Sequence, residues 1–197
     1  MERKRRENGS RNAISAGVFI ALYLVTYIII GAICMPVGIL FLLMPMIVAV
    51  FSAPTYHMML AKSPSWIPIV IAAVLPSIIL IASGHIPIAP IVSVPAGIIA
   101  ALISRQGEYK DFKKNQLSHM FFSLNLFGGF IPIWVMRDYF FSTLEGGLSE
   151  GFEETVRALT PWWMLPVMMV VTMLCSYLGS IFTEKIMAKH LKKAGVM

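Results

Sequence analysis

The sequence predicts an all-α integral membrane protein, a bundle of six transmembrane helices with both termini in the cytoplasm, and three observations lead there. The chain is 57% hydrophobic and only 13% charged over 197 residues, whereas a soluble protein carries about a quarter charged residues. Its apolar residues come in uninterrupted runs long enough to cross about 30 Å of hydrocarbon. Its basic residues gather at alternate junctions between those runs, the pattern that fixes orientation in a bilayer.

Residues 1–12 are a basic tail, which is also how a signal peptide begins. The apolar run that follows exceeds the roughly 7–15 residues of a cleaved core, so it reads as a retained first helix. From Ala13 through Ala61 there is no Asp, Glu, Lys or Arg, about twice the length that one helix needs. The break falls at Met35-Pro36-Val37-Gly38, where proline removes an amide hydrogen and glycine relaxes the backbone. Ser63 through Ser104 is a second double run, broken at Ser83-Gly84-His85-Ile86-Pro87. Asn115 to Met136 supplies the fifth span and Ala158 to Thr183 the sixth. Unsatisfied backbone groups are costly in lipid, so these runs are helices, and the period-two alternation of a barrel is missing. The membrane domain thus covers 13–184, with an outer lid loop at 137–160 and a basic C-terminal tail at 185–197.

With six spans the loops alternate, and the bases follow. Fourteen of the 16 Lys and Arg fall on one side: five before Ala13, Lys62, four from Arg105 to Lys114 and four from Lys185 to Lys193. Only Arg137 and Arg157 fall on the other. The positive-inside rule makes the first side cytoplasmic. The net charge of +6 is therefore read as a topology signal facing phospholipid headgroups, and no nucleic-acid partner is expected. The outer loop carries Asp138, Glu145, Glu150, Glu153 and Glu154 among glycines, and it is long enough to act as a lid.

Cys34 and Cys175 lie far apart within apolar stretches, which argues against a disulfide framework, and no metal-ligand spacing surrounds them. Neither metal nor cofactor is expected. Glu153-Glu154-Thr155-Val156-Arg157 resembles the paired glutamates and arginine of an intramembrane protease, but the arginine is one position too close and the stretch lies in a loop. A Gly-x-Ser-x-Gly elbow with a histidine base is missing, as is a Walker sequence, so no catalytic residue is assigned and any ATP is hydrolysed by another chain.

Ala13, Gly17 and Ala21 place small residues four apart on one ridge of the first helix, where a second helix can approach closely. That ridge serves either packing within the bundle or docking of a partner; Ala96, Gly97, Ala100 and Ala101 show the same pattern. His85 follows Gly84 at the outer end of the third span, among Pro87, Pro90 and Pro95, where irregular backbone is tolerated if it lines a cavity. Asn125 lies near mid-membrane and must bond either a neighbouring helix or a substrate. Trp134, Trp162 and Trp163 suit an aromatic belt, and Arg137 and Asp138 can pair with each other. Tyr27, His85, Asn125, Trp134, Arg137 and Trp163 form the candidate substrate pocket. Such a set suits a small amphiphile with an aromatic face and an acidic group, since rings stack on flat surfaces and arginine clamps carboxylates.

Several stretches are familiar together. Thr55-Tyr56-His57-Met58-Met59-Leu60-Ala61-Lys62 leads into a span that closes with Gly84-His85. Arg105-Gln106-Gly107-Glu108-Tyr109-Lys110 ends the fourth span, Pro132 precedes Arg137-Asp138-Tyr139, and Ala188-Lys189-His190-Leu191-Lys192-Lys193-Ala194-Gly195 forms the tail. From Ala13 to Val196 the chain resembles the substrate-binding S component of energy-coupling factor (ECF) transporters, in the subfamily called MptD-type. That resemblance implies a six-helix protein of the plasma membrane that captures a micronutrient on the outer side. It implies as partners a transmembrane coupling subunit and two cytoplasmic ATPase subunits, with docking through a small-residue ridge that maps onto Ala13, Gly17 and Ala21. A freestanding small transporter or channel is the alternative, and a membrane enzyme a more distant one.

Overall fold

The computed structural model describes residues 2–85, 87–143 and 148–193. Ile86, part of the expected break, lies outside them, as do Glu145 and its neighbouring glycines in the lid and the final residues 194–197. Every described element is helical. In chain order they are α1 (Glu2–Cys34), α2 (Gly38–Lys62), α3 (Trp66–Ala82), α4 (Pro90–Gln106) and α5 (Phe112–Phe122). A 3-10 helix at Ser123–Gly128 follows, then α6 (Pro132–Val135), α7 (Arg137–Ser142), α8 (Phe152–Leu159) and α9 (Met164–Lys193).

Among the described residues, three segments are long and apolar enough to cross a membrane: Ser10–Cys34, Gly38–Lys62 and Met164–Ala188. Helices α3 and α4 are apolar but have 17 residues each, about 25 Å at 1.5 Å per residue. Both expected breaks occur. Helix α1 stops at Cys34 and α2 starts at Gly38, and α3 ends before Gly84, whose φ of +88° suits a residue without a Cβ. Pro90 opens α4 at its first turn, where no amide hydrogen is needed, while Pro95 is accommodated inside the helix.

Residues 2–12 are helical and continuous with α1. One expectation is corrected. The fifth run, Asn115 to Met136, is not one helix: α5 tightens into the 3-10 turn at Ser123 and restarts only at Pro132. Gly128-Gly129 and Pro132 together explain the interruption, the glycines through low helix propensity and the proline through its missing donor. The lid at 137–160 is largely structured, since α7 and α8 occupy it.

Helix α2 sits at the centre, flanked by α1 and α9, while α3 pairs with α4 and α4 with α5. Half of the apolar window of α2 is buried against 11% for α1, so α1 presents most of its surface outward. That surface, with Ile14, Val18, Leu22, Val25, Ile29 and Ile33 exposed, is a lipid-facing one. Small residues set the closest approaches. A Cβ on Gly179 of α9 would lie 2.7 Å from the Val50 carbonyl oxygen of α2, and one on Gly97 would lie 2.8 Å from Ala73 Cβ. Ala96, Ala100 and Ala101 are buried around Gly97, so the fourth-helix pattern is internal packing.

Side-chain contacts bring the basic segments to one end. His57, five residues before Lys62, stacks on Phe112 beside Lys110, Lys113 and Lys114 (centroids 4.5 Å apart). It also bonds Ser180, five residues before Lys185. At the opposite end Phe41 stacks on Phe130 (4.7 Å) and on Phe140 (6.2 Å) and meets Phe152 (5.5 Å). This cluster ties α7 and α8 down onto α2.

Candidate ligand cavity and docking groove

A cavity of about 440 Å³ opens at the end opposite the basic segments. One wall is the C-terminal turn of α3 and the loop after it, Leu80, Ser83, Gly84 and His85; Ala89 stands before α4. Gly128, Gly129 and Pro132 form the floor, and Tyr139, Phe140, Ser142 and Thr143 of α7 close the remaining side. The interruption of the fifth run is what makes this space. Gly128 lies so near the α4 start that a Cβ would fall 2.6 Å from the Ala89 carbonyl oxygen. The polar groups on offer are hydroxyls, the exposed His85 imidazole and backbone amides; no charged side chain is among the described lining residues. Such a wall offers hydrogen-bonding groups beside aromatic rings.

Of the six residues expected in the pocket, only His85 lines this cavity. Asn125 is 2% exposed and bonded at both polar atoms: Tyr23 Oη donates to its Oδ1 at 3.1 Å, and its Nδ2 donates to the Phe122 carbonyl at 2.6 Å. The interhelical alternative is thus the one the structure shows. Trp134 is buried and donates Nε1–H to the Pro161 carbonyl at 3.0 Å. Arg137 donates Nε–H to the Ile133 carbonyl at 3.2 Å and Nη2–H to both oxygens of Thr160 at the end of α8. It does not pair with Asp138. That carboxylate instead meets Arg157 at 3.2 Å, and Arg157 also holds Glu153 at 2.7 Å and lies over the Phe141 ring. These hydrogen bonds raise the Arg157 pKa, Glu153 contributing most. Trp163 is exposed, and Tyr27 is half-buried against the core. Neither reaches the cavity.

At the basic end a groove of about 430 Å³ runs between α1 and the α2–α3 turn. Ala13, Ala16, Gly17 and Ile20 form one wall, and Ser63, Pro64, Ser65, Ile67 and Pro68 belong to the other. Ala13, Gly17 and Ala21 are exposed, and a Cβ on Gly17 would meet nothing within 4 Å. The ridge therefore takes no part in packing this bundle.

A polar network between α2, α5 and α9 escaped the sequence reading. Ser180 Oγ donates to the Ser176 carbonyl at 3.0 Å and so accepts from His57 Nε2–H at 2.9 Å. His119 lies 2.7 Å from Ser176 Oγ and 3.2 Å from Ser180 Oγ through Nδ1, and 3.3 Å from Ser52 Oγ through Nε2. Tyr56 Oη donates to Ser118 Oγ at 2.5 Å, since that hydroxyl is itself donated to the Ala100 carbonyl. His57 Nδ1 is buried without a partner among the described residues. The signal was present: two histidines stand inside charge-poor runs, which is costly unless they are bonded or used.

Fold and cavity together define a helical membrane protein with a ligand-sized opening at one end. The chain belongs to the family described as "Hypothetical bacterial integral membrane protein (Trep_Strep)", whose model it matches over residues 10–193. It is accordingly a bacterial integral membrane protein. No curated protein and no solved structure matches it significantly.

Proposed function

We propose that this protein is the substrate-specific subunit, the S component, of an ECF-type importer for a small micronutrient. One arrangement carries the reading: a ligand-sized cavity at one end of the bundle and an exposed groove edged by small residues of α1 at the other. The first captures substrate, and the second receives a coupling helix, because small residues permit the close approach on which association in lipid depends. Six membrane crossings, the fifth interrupted, put the basic end in the cytoplasm and the cavity outside. The chain is not an enzyme; ATP is hydrolysed by two separate cytoplasmic subunits bound through the coupling protein. The family match and the residues quoted above support this reading, and the MptD-type placement rests on those residues alone.

The substrate is uncharged where it touches the cavity, since Arg137 is tied to Thr160 and away from the lining. The test is purification from the native membrane followed by mass spectrometry of co-purifying small molecules. A neutral compound at one per chain, lost in Gly128→Val, agrees with the assignment. A bound compound retained in that variant places the site elsewhere.

One observation favours a second reading, a freestanding proton-coupled carrier. The chain His57–Ser180–His119–Ser52 links four buried groups by hydrogen bonds and leaves a lone pair at His57 Nδ1 to take a proton. Uptake of the co-purified compound in cells lacking the ATPase subunits separates the readings: persistence supports the carrier, and loss the ECF subunit.

A further inference from the structure

We propose that Arg137, with Trp134 and Trp162, forms a site for a phosphate group, supplied by a phospholipid headgroup or by free phosphate. The site is separate from the ligand cavity and does not depend on the transport reading. A cleft of about 120 Å³ is lined by Trp134, Arg137, Thr160, Pro161 and Trp162, a volume suited to one tetrahedral anion and too small for the ligand of the larger cavity.

The guanidinium is held before any anion arrives. Its Nε donates to the Ile133 carbonyl at 3.2 Å, and Nη2 donates to Thr160 Oγ1 at 2.6 Å and to the Thr160 carbonyl. Thr160 is fixed in turn, its hydroxyl donating to the Val156 carbonyl at 2.7 Å. Fixing two of the three nitrogens leaves Nη1 and its hydrogens without a protein partner among the described residues. A planar fork fixed in advance loses little entropy when a phosphate oxygen binds it.

Charge points the same way. Arg157 is balanced by Asp138 and Glu153, but Arg137 meets only carbonyls and a hydroxyl among the described residues. The Pro161 carbonyl accepts from the Trp134 indole and the Thr160 carbonyl from the arginine itself, which offsets part of their repulsion of an anion. Trp162 and Trp163 beside the cleft are 71% and 62% exposed, as indoles are at the level of lipid headgroups. A fixed positive charge at that level meets phosphates first.

Native mass spectrometry of the full-length protein tests the assignment, with dioleoylphosphatidylglycerol, dioleoylphosphatidylcholine, uncharged dioleoylglycerol and sodium phosphate as probes. Wild type should retain both phospholipids at least tenfold more than dioleoylglycerol, and Arg137→Gln should abolish the difference. Arg157→Gln should preserve it. Because Arg137→Gln removes bonds to Thr160 and can unfold the segment, Trp162→Ala serves as a second variant at an exposed position; it should weaken phospholipid retention several-fold at unchanged melting temperature. Retention of sodium phosphate that is also lost in Arg137→Gln would identify free phosphate as an occupant. Equal phospholipid and diacylglycerol retention in wild type, or equal loss in Arg157→Gln, would overturn the proposal.

Discussion

Tyr23 on α1 donates its hydroxyl to Asn125 Oδ1 at 3.1 Å, joining positions 102 residues apart at a point where both side chains are buried. The amide that the sequence left to either a neighbouring helix or a substrate is a bond between elements, and its nitrogen donates to the Phe122 carbonyl. Asn125→Ala should therefore lower stability by about 1–2 kcal/mol and leave ligand affinity within about twofold. A double-mutant cycle with Tyr23→Phe, read by thermal unfolding in detergent, should show coupling between the two sites. Additive losses would mean that the bond contributes nothing.

Gly128 controls the cavity. A Cβ there would stand 2.6 Å from a backbone oxygen, which cannot swing away as a side chain does. Gly128→Ala should displace the start of α4 and weaken ligand binding at least tenfold, about 1.4 kcal/mol. His85→Ala, at an exposed lining position, should weaken binding with no change in melting temperature. Trp162→Ala, exposed and outside the lining, should leave affinity unchanged, and a loss of binding there would show the site to be misassigned. Isotherms with the co-purified compound check all three.

The two glycine environments on α1 and α9 predict opposite outcomes. Gly179→Ala forces a methyl to within 2.7 Å of the Val50 carbonyl oxygen and 2.9 Å of Val50 Cα, and should cost about 1–3 kcal/mol through separation of α2 and α9. Gly17→Ala meets open space and should leave the melting temperature of the isolated protein unchanged or slightly higher, since alanine favours helix. Thermal unfolding of both variants is the measurement.

Orientation can be read by thiol labelling. Native Cys34 is buried and Cys175 is partly so, and both are replaced first. An impermeant maleimide added to intact cells should then reach Ser149→Cys and miss Lys110→Cys, both of which are exposed positions. The reverse pattern would invert the bundle.

The helices and their breaks were legible because lipid imposes a length and an apolar composition, and because Pro36, Gly38 and Gly84 interrupt the runs where the chain turns. The interruption of the fifth run was legible only as a list of glycines and a proline, since hydropathy alone continues through Gly128. Of the residues read as pocket candidates, His85 alone lines the cavity beside α3. Arg137 and Asn125 carry groups that suit a ligand, and only tertiary contacts decide whether Thr160 and Tyr23 have taken them first. The serines that link His57 to His119 were invisible for a related reason. A hydroxyl in a membrane helix can bond its own backbone, so Ser176 and Ser180 stood out only once α9 lay against α2. The spacing of Ala13, Gly17 and Ala21 was readable, while their exposure on the packed bundle was not.

In the proposed function the exposed groove at the basic end receives a coupling subunit while the cavity at the far end holds substrate. This arrangement is tested most directly by purifying wild type and Gly17→Leu/Ala21→Leu from native membranes and assaying both for partner polypeptides and bound compound. Wild type should bring a membrane coupling protein and ATPase subunits, and the double variant should lose them while keeping the bound compound and its melting temperature. Partners retained by the double variant, or a wild type that brings no ATPase, would contradict the account.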